Sequence, residues 1–73
     1  MILFVKPTDR KLIMIEINND LTIREIKKKI QEKLGIDPEE QKLIFQGSIL
    51  DDTKTVSEYQ ICDKSEIDLV ELK

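Results

Sequence analysis

Side chains that could support catalysis are sparse in this sequence. There is no histidine, so no imidazole can act as a base near neutral pH. Cys62 is the single cysteine, and the sequence places no activating partner beside it. We therefore interpret Cys62 as a small residue in a surface loop and expect no enzymatic activity. Because an internal disulfide is impossible, an intracellular location is favoured.

The charged clusters indicate solvated surface rather than a ligand site. Asp51 and Asp52 are adjacent, so their carboxylates would diverge, and no second acidic pair lies at ligand spacing. The lysine run 27–29 is interrupted by Glu25 and Glu32 on the same predicted helix, which is typical of a solvated face. The net charge is only −3, and no apolar stretch approaches the roughly 20 residues of a membrane span. We expect no metal, cofactor, nucleic acid or membrane partner.

A protein-binding surface does not require catalytic or metal-binding side chains. The best candidate for a contact residue of such a surface is Ile44. Leu43, Ile44 and Phe45 are consecutive large apolar residues inside one predicted strand, 42–46. Successive side chains of a strand point to opposite faces, so Ile44 points away from the side that holds Leu43 and Phe45. A second core is improbable, because a chain of this size buries only roughly 60% of its unfolded surface. Ile44 is therefore a candidate exposed contact residue; the alternative is that it caps its own core.

Two alternating segments predict an N-terminal hairpin. Residues 1–6 and 11–17 read as strands, and residues 7–10 read as the turn between them. The predicted inward pairs are Met1 with Ile17, Leu3 with Ile15 and Val5 with Ile13.

The outward side of this hairpin carries four apolar residues. Phe4 is predicted opposite Met14 and Lys6 opposite Leu12, and Ile2 lies beside them. We call Ile2, Phe4, Leu12 and Met14 the second apolar patch. Contiguous apolar groups often mark interaction surfaces, here for another part of a longer protein or for weak self-association of a monomer. The alternative is a set of unrelated exposed hydrophobic residues.

One amphipathic helix follows the hairpin. Thr22 and Glu25 have the spacing of a capping box, and Gly35 followed by Pro38 predicts the end of the helix. The residues between them that recur at helical spacing are Ile23, Ile26, Ile30 and Leu34.

The remaining segments complete an α+β domain. Residues 37–41 and 56–60 read as short helical turns, 47–48 as a turn, 49–50 as a brief strand and 66–72 as the last strand. The order predicts a single domain over residues 1–73, in which the helix covers one face of a mixed five-stranded sheet. Ile44, Val70 and Ile49 would then present apolar area on the uncovered face, suited to weak, reversible binding. Like Ile44, Val70 has the alternative of packing on its own core.

The sequence resembles ubiquitin almost from end to end. The matching segments are 1–6, Thr22-Ile23, 27–31, 35–38, 41–45, Gly47, Leu50, Asp52, Thr55, Ser57, Tyr59, Ile61 and Leu69-Val70. The resemblance is to a ubiquitin-like domain rather than to ubiquitin itself. It implies the β-grasp fold.

The resemblance also implies a protein-binding patch. Ile44 and Val70, with Gly47 and Lys42 beside them, correspond to the surface through which ubiquitin-recognising domains bind the family. Two positions of that surface depart from the family: Thr8 replaces a leucine, and Asp68 replaces a histidine. Asp68 predicts a preference for partners that bring Lys or Arg over partners that bring acidic helices. Arg10 replaces a turn glycine, which bears on the shape of that turn.

The resemblance leaves the biological role open between three classes. The first is a ubiquitin-like interaction domain of a proteasome shuttle or ubiquitin-pathway adaptor, in the cytoplasm, the nucleus or both. The second is a protein modifier, for which the resemblance implies conjugation lysines at Lys6, Lys11, Lys27, Lys29 and Lys33. The third is a small sulfur carrier. The modifier and the carrier both require a terminal Gly-Gly, whereas this sequence ends Glu71-Leu72-Lys73. A start at Met1 and the missing Gly-Gly favour the adaptor.

Overall fold

A computed structural model describes residues 1–72, which form a five-stranded mixed sheet and one α-helix. The elements are β1 (Ile2–Pro7), β2 (Ile13–Glu16), α1 (Ile23–Leu34), β3 (Gln41–Phe45), β4 (Ser48–Ile49) and β5 (Glu66–Glu71), with 3-10 turns at Pro38–Glu40 and Ser57–Tyr59. The sheet order is β2-β1-β5-β3-β4, and β1 and β5 run parallel while the other neighbouring strands are antiparallel. This is the β-grasp fold that the sequence predicted. Lys73 lies outside the described residues.

The register of the first hairpin is confirmed. Leu3 pairs with Ile15, Val5 with Ile13 and Phe4 with Met14, and the backbones of residues 1 and 17 exchange two hydrogen bonds of 2.9 Å. The predicted bounds of the two strands, 1–6 and 11–17, were wrong at the turn between them.

At that turn, Pro7 belongs to β1 and is buried, and β2 begins only at Ile13. Proline has no N–H to donate to a ladder, and the pairing of β1 with β5 ends at Pro7 and Leu69. Leu12 precedes β2, so the predicted pair of Lys6 with Leu12 is not part of the ladder.

Both ends of α1 have the predicted caps. The Thr22 hydroxyl accepts a hydrogen bond of 3.2 Å from the Glu25 N–H, and the Glu25 carboxylate accepts one of 2.9 Å from the Thr22 N–H. Gly35 ends the helix with a φ of +74°, in the left-handed region that glycine adopts without a Cβ clash. The apolar stripe of α1 packs into the core against the inward side chains of the sheet. The fully buried members of this core include Leu3, Val5, Ile23, Ile26, Ile30, Leu43, Val56, Ile67 and Leu69.

Lys27 contradicts the prediction of a solvated lysine run. Its side chain is buried, and its Nζ lies 2.6 Å from a carboxylate oxygen of Asp52. Arg24 Nη1 lies 3.5 Å from the other carboxylate oxygen of Asp52, so this carboxylate pairs with two cations of α1. Lys28 is the one exposed residue of the run, and Lys29 is half-buried. Sequence spacing places Lys27 on a helix, but it does not show the loop whose Asp52 contacts the ammonium.

That loop, residues 51–56, is held against the start of α1 by backbone hydrogen bonds. Ile23 N–H donates to the Lys54 carbonyl at 2.9 Å, and Val56 N–H donates to the Leu21 carbonyl at 3.0 Å. Asp51 and Asp52 therefore have separate roles: Asp52 faces Lys27, while Asp51 shapes the loop. Describing both as solvated loop charge was wrong for Asp52.

Candidate protein-binding surface

The sheet face opposite α1 is uncovered and carries the predicted patch. We define the candidate patch as Ile44, Val70, Ile49, Gly47, Lys42, Asp68 and Thr8. Strand alternation separates Ile44 from Leu43, which is fully buried, and leaves Ile44 half-buried on this face. Val70 is also half-buried and lies opposite Lys42 on the neighbouring strand. The two side chains expected to centre the patch thus lie on neighbouring strands, two register positions apart on the diagonal.

Ile49, rather than Ile44, is the most exposed large apolar side chain of this patch. It leaves 60% of its surface accessible and lies directly opposite Ile44 across β3 and β4. The turn between the two strands places Gln46 at a φ of +53° and Gly47 at +81°, so Gln46 belongs to the turn and not to β3 as predicted. β4 is only Ser48–Ile49, and Ile49 lies exposed at the edge of the sheet.

A charged pair forms one border of the candidate patch. Asp68 lies on β5 directly between Lys6 of β1 and Ile44 of β3. Both residues are exposed, and Lys6 is the register neighbour of Asp68 on β1. The border therefore presents an acid and a base to any partner that contacts Ile44.

The turn after β1 forms another border of the candidate patch, and side-chain contacts of Thr8 and Arg10 hold it against β5 and the end of α1. The Thr8 hydroxyl donates to the Leu69 carbonyl of β5 at 3.2 Å. The Arg10 guanidinium donates to the Leu34 carbonyl at 3.2 Å and lies 3.8 Å from a Glu71 carboxylate oxygen. Leu34 is the last residue of α1, where a cation is favourable because the helix ends in unpaired carbonyls. Arg10 is not among the described residues with a positive φ, so this turn needs no glycine.

These contacts predict that Arg10 restrains the turn. Arg10→Ala should raise the rate at which a non-specific protease cleaves the turn at residues 8–10 by about two- to fivefold, as expected when an exposed contact worth under about 1 kcal/mol is lost. Lys11→Ala, which changes the neighbouring exposed cation, should leave that rate unchanged. Equal effects from both variants would show that the guanidinium contacts do not restrain the turn.

Leu72 is a surface residue that the sequence analysis did not assign to the patch. It leaves 47% of its surface accessible, and its N–H donates to the Glu40 carbonyl at 2.7 Å, which continues the line of β5. Leu72 and Ile49 line the same groove beside Lys42. The alternation that placed Val70 outward places Leu72 outward as well, so the signal was present in the sequence. Apolar surface therefore extends from Ile44 around the edge of the sheet.

The segment that follows Ile49 is held by a carboxylate with a perturbed pKa. Hydrogen bonds from the backbone N–H and the hydroxyl of Thr53, at 2.9 and 2.8 Å, hold the pKa of Asp51 below its ordinary value. The Asp51 N–H donates to the Tyr59 hydroxyl at 2.7 Å. These bonds fix the loop that leads from the patch to the carboxylate of Asp52.

The predicted conjugation lysines differ in accessibility. Lys6, Lys11 and Lys33 are exposed and Lys29 is half-buried, whereas the ammonium of Lys27 is held by Asp52. Cys62 is exposed, and its thiol lies 3.5 Å from the Gln60 carbonyl. Across residues 1–72, no group of three or more His, Cys, Asp and Glu side chains is arranged to hold a metal ion. Nor does any helix of this described range have the length and apolar character needed to cross a membrane.

Comparison with known proteins relates this sheet and helix to one family. The family model described as "Ubiquitin family" matches residues 3–72. Ubiquitin-like protein NEDD8 of Dictyostelium discoideum is 41% identical over 70 residues, which cover 96% of this chain and 91% of that protein. The UV excision repair protein RAD23 homolog of the same organism is 39% identical over 59 residues, covering 81% of this chain and 17% of the relative. Ubiquitin-like protein 4A of Esox lucius is 33% identical over 70 residues, and the chain spans 46% of its length. With nearly the whole described chain matched, this chain belongs to the ubiquitin family.

Proposed function

We propose that the chain is a non-catalytic ubiquitin-like interaction domain of the ubiquitin–proteasome pathway. In this proposal, the candidate patch binds ubiquitin-recognising domains, of the ubiquitin-associated or ubiquitin-interacting types, or proteasomal receptors. The observation that carries the proposal is the apolar surface formed by Ile44, Val70 and Ile49 on the sheet face that α1 leaves uncovered. We place the domain in the cytoplasm, the nucleus or both.

The size of the patch supports weak and reversible binding. Fully burying one aliphatic side chain is worth roughly 1.5–3 kcal/mol, and association costs offset a large part of the sum. Loss of one such side chain should therefore weaken binding by about tenfold or more. The polar border of Lys42, Lys6 and Asp68 supplies selectivity rather than affinity.

A titration followed by NMR tests the proposal. Labelled chain is titrated with a ubiquitin-associated domain and with proteasomal ubiquitin receptors, and shifts are expected at Ile44, Ile49 and Val70. Ile44→Ala and Ile49→Lys should each weaken binding, whereas Glu32→Ala on the exposed surface of α1 should not. Shifts confined to α1, or no binding to any of these proteins, would contradict the proposal.

Asp68 gives a sharper test of selectivity. Asp68→His should raise the affinity for an acidic ubiquitin-interacting helix by about two- to fivefold, because a carboxylate no longer repels the helix. Asp68→Asn separates the loss of charge from the gain of a ring, and Glu32→Gln controls for the change in net charge. No gain in affinity for Asp68→His would refute the role of this carboxylate.

A second candidate function is that of a protein modifier. The observation that favours it is coverage: the chain spans 91% of ubiquitin-like protein NEDD8, but less than half of the other two relatives. A modifier is joined to its targets through a C-terminal glycine. Expression of the complete gene product with an N-terminal tag distinguishes the two functions. Covalent adducts that resist boiling in detergent and reductant support the modifier, and recovery of one unconjugated species supports the interaction domain.

A further inference from the structure

A groove at the edge of the sheet continues the candidate patch. Its volume is about 440 Å³, and the side chains that line it include Ile49, Lys42 and Leu72. Within residues 1–72 four large apolar side chains are exposed, and two of them are Ile49 and Leu72, with 60% and 47% of their surfaces accessible. Because Ile49 lies directly opposite Ile44, a partner that covers Ile44 also reaches the groove.

The charged side chains along one wall of the groove compensate one another. The Arg24 guanidinium lies 3.5 Å from a carboxylate oxygen of Asp52 and 3.9 Å from one of Glu39. The ammonium of Lys27 lies 2.6 Å from the other oxygen of Asp52. Two cations and two carboxylates therefore form one connected network, which leaves no excess of either charge on this wall.

Lys42 is the remaining charged residue of the lining. It has acidic neighbours of its own, because Asp68 lies diagonal to it on β5 and Glu40 lies two residues before it. A carboxylate or an ammonium from a partner would meet both signs of charge at this exposed site and gain little from it. The groove therefore does not select a charged group.

The uncharged polar groups of the groove are already in use. The Leu72 N–H donates to the Glu40 carbonyl at 2.7 Å, and the side-chain amide of Gln41 donates to the carbonyls of Lys27 and Ile36 at 2.9 Å. The Gln41 Oε1 accepts no hydrogen bond within residues 1–72, but it is buried beneath the surface, so a group bound in the groove does not contact it. What the groove offers a partner is apolar area.

We propose that a ubiquitin-recognising partner inserts one large aliphatic or aromatic side chain between Ile49 and Leu72. This inference rests on the proposed function and adds a contact to the candidate patch. The volume of the groove falls within the roughly 300–1,000 Å³ of ligand clefts, so it holds a large side chain. Ile49 and Leu72 each expose a larger fraction of their surface than the half-buried Ile44, so each has more area to lose to the partner.

The second apolar patch supplies a matched control. Met14 and Leu12 leave 58% and 48% of their surfaces accessible, and Phe4 and Ile2 are half-buried beside them. These residues belong to the part of the sheet that β5 separates from β3 and β4. Substitution of Leu12 therefore changes a leucine as exposed as Leu72 without touching the groove.

Single substitutions test the contact. The parent chain and its variants are titrated with the protein that binds the parent most tightly in the NMR experiment. Leu72→Ser and Ile49→Ser should each weaken binding by about tenfold or more. Leu12→Ser should change the affinity by less than about twofold, because a side chain outside the interface makes no contact. All three side chains are exposed, so the spectra of the variants should remain those of the folded chain.

A double variant tests whether one side chain fills the groove. If the same partner side chain contacts both residues, Ile49→Ser/Leu72→Ser should weaken binding by less than the product of the two single effects, because the second change acts on a contact already lost. Intermolecular NOEs from the methyl groups of Ile49 and Leu72 should reach one and the same partner side chain. Effects that multiply would show two separate contacts and overturn the proposal.

Failure of this inference is distinct from failure of the proposed function. If Ile44→Ala weakens binding and Leu72→Ser does not, the groove is empty in the complex and the function stands without it. If Lys42→Gln weakens binding and Leu72→Ser does not, a carboxylate occupies the groove, which overturns the inference equally. A parent chain that binds none of the tested proteins overturns both.

Discussion

Leu43→Ala should lower the free energy of unfolding by about 2–5 kcal/mol, while the same change at Ile44 should cost about 1 kcal/mol or less. The two residues are neighbours in β3, but Leu43 is fully buried and Ile44 is half-buried on the opposite face. Alanine at Leu43 leaves a cavity beneath α1. At Ile44 it removes atoms that already contact water.

Urea denaturation followed by circular dichroism measures both changes. A chain of this length has a total stability of about 4–11 kcal/mol, so Leu43→Ala should shift the midpoint strongly. Ile44→Ala should remain folded and lose binding, which separates the surface role from the structural role. Similar destabilisation by the two variants would mean that Ile44 belongs to the core and would remove the basis of the candidate patch.

The second large effect is expected at the ion pair between α1 and the loop that covers it. Asp52→Ala should lower the free energy of unfolding by about 1–3 kcal/mol, because it leaves the buried ammonium of Lys27 without its carboxylate. The range is below that of a fully buried pair, since a third of the Asp52 side chain (34%) is accessible and water can replace part of the interaction.

A double variant shows whether the uncompensated charge is the cause. Lys27→Met/Asp52→Ala should be more stable than Asp52→Ala alone, because methionine keeps the packing of Lys27 and removes its charge. Glu32→Ala, at an exposed carboxylate of the same helix, should change stability by no more than about 0.5 kcal/mol. If Lys27→Met/Asp52→Ala is less stable than both Asp52→Ala and Glu32→Ala, the pair contributes through packing rather than charge.

Local patterns predicted the fold because they depend on few residues. The capping box of Thr22 and Glu25, the left-handed Gly35 and the pairing of Phe4 with Met14 each follow from spacing within one or two elements. Strand alternation likewise separated Leu43 from Ile44. These features give a hairpin, a helix and a sheet face that the helix leaves uncovered.

Features that depend on distant segments were not predictable in the same way. The ammonium of Lys27 meets Asp52 of loop 51–56, and no pattern within the helix shows that contact. Arg10 reaches the carbonyl of Leu34 at the end of α1, which is distant in sequence. The greater exposure of Ile49 than of Ile44 follows from the edge position of β4, which only the sheet order shows.

The parallel pairing of β1 with β5 joins the two ends of the chain at the middle of the sheet. During synthesis, β5 must clear the ribosome before β1 can gain this neighbour, so the native sheet forms only after nearly all of the domain has been translated. Tension applied between the termini would load the hydrogen bonds of this pair together in shear, rather than opening them one after another. The domain should therefore resist mechanical pulling far better than a hairpin whose strands are peeled apart.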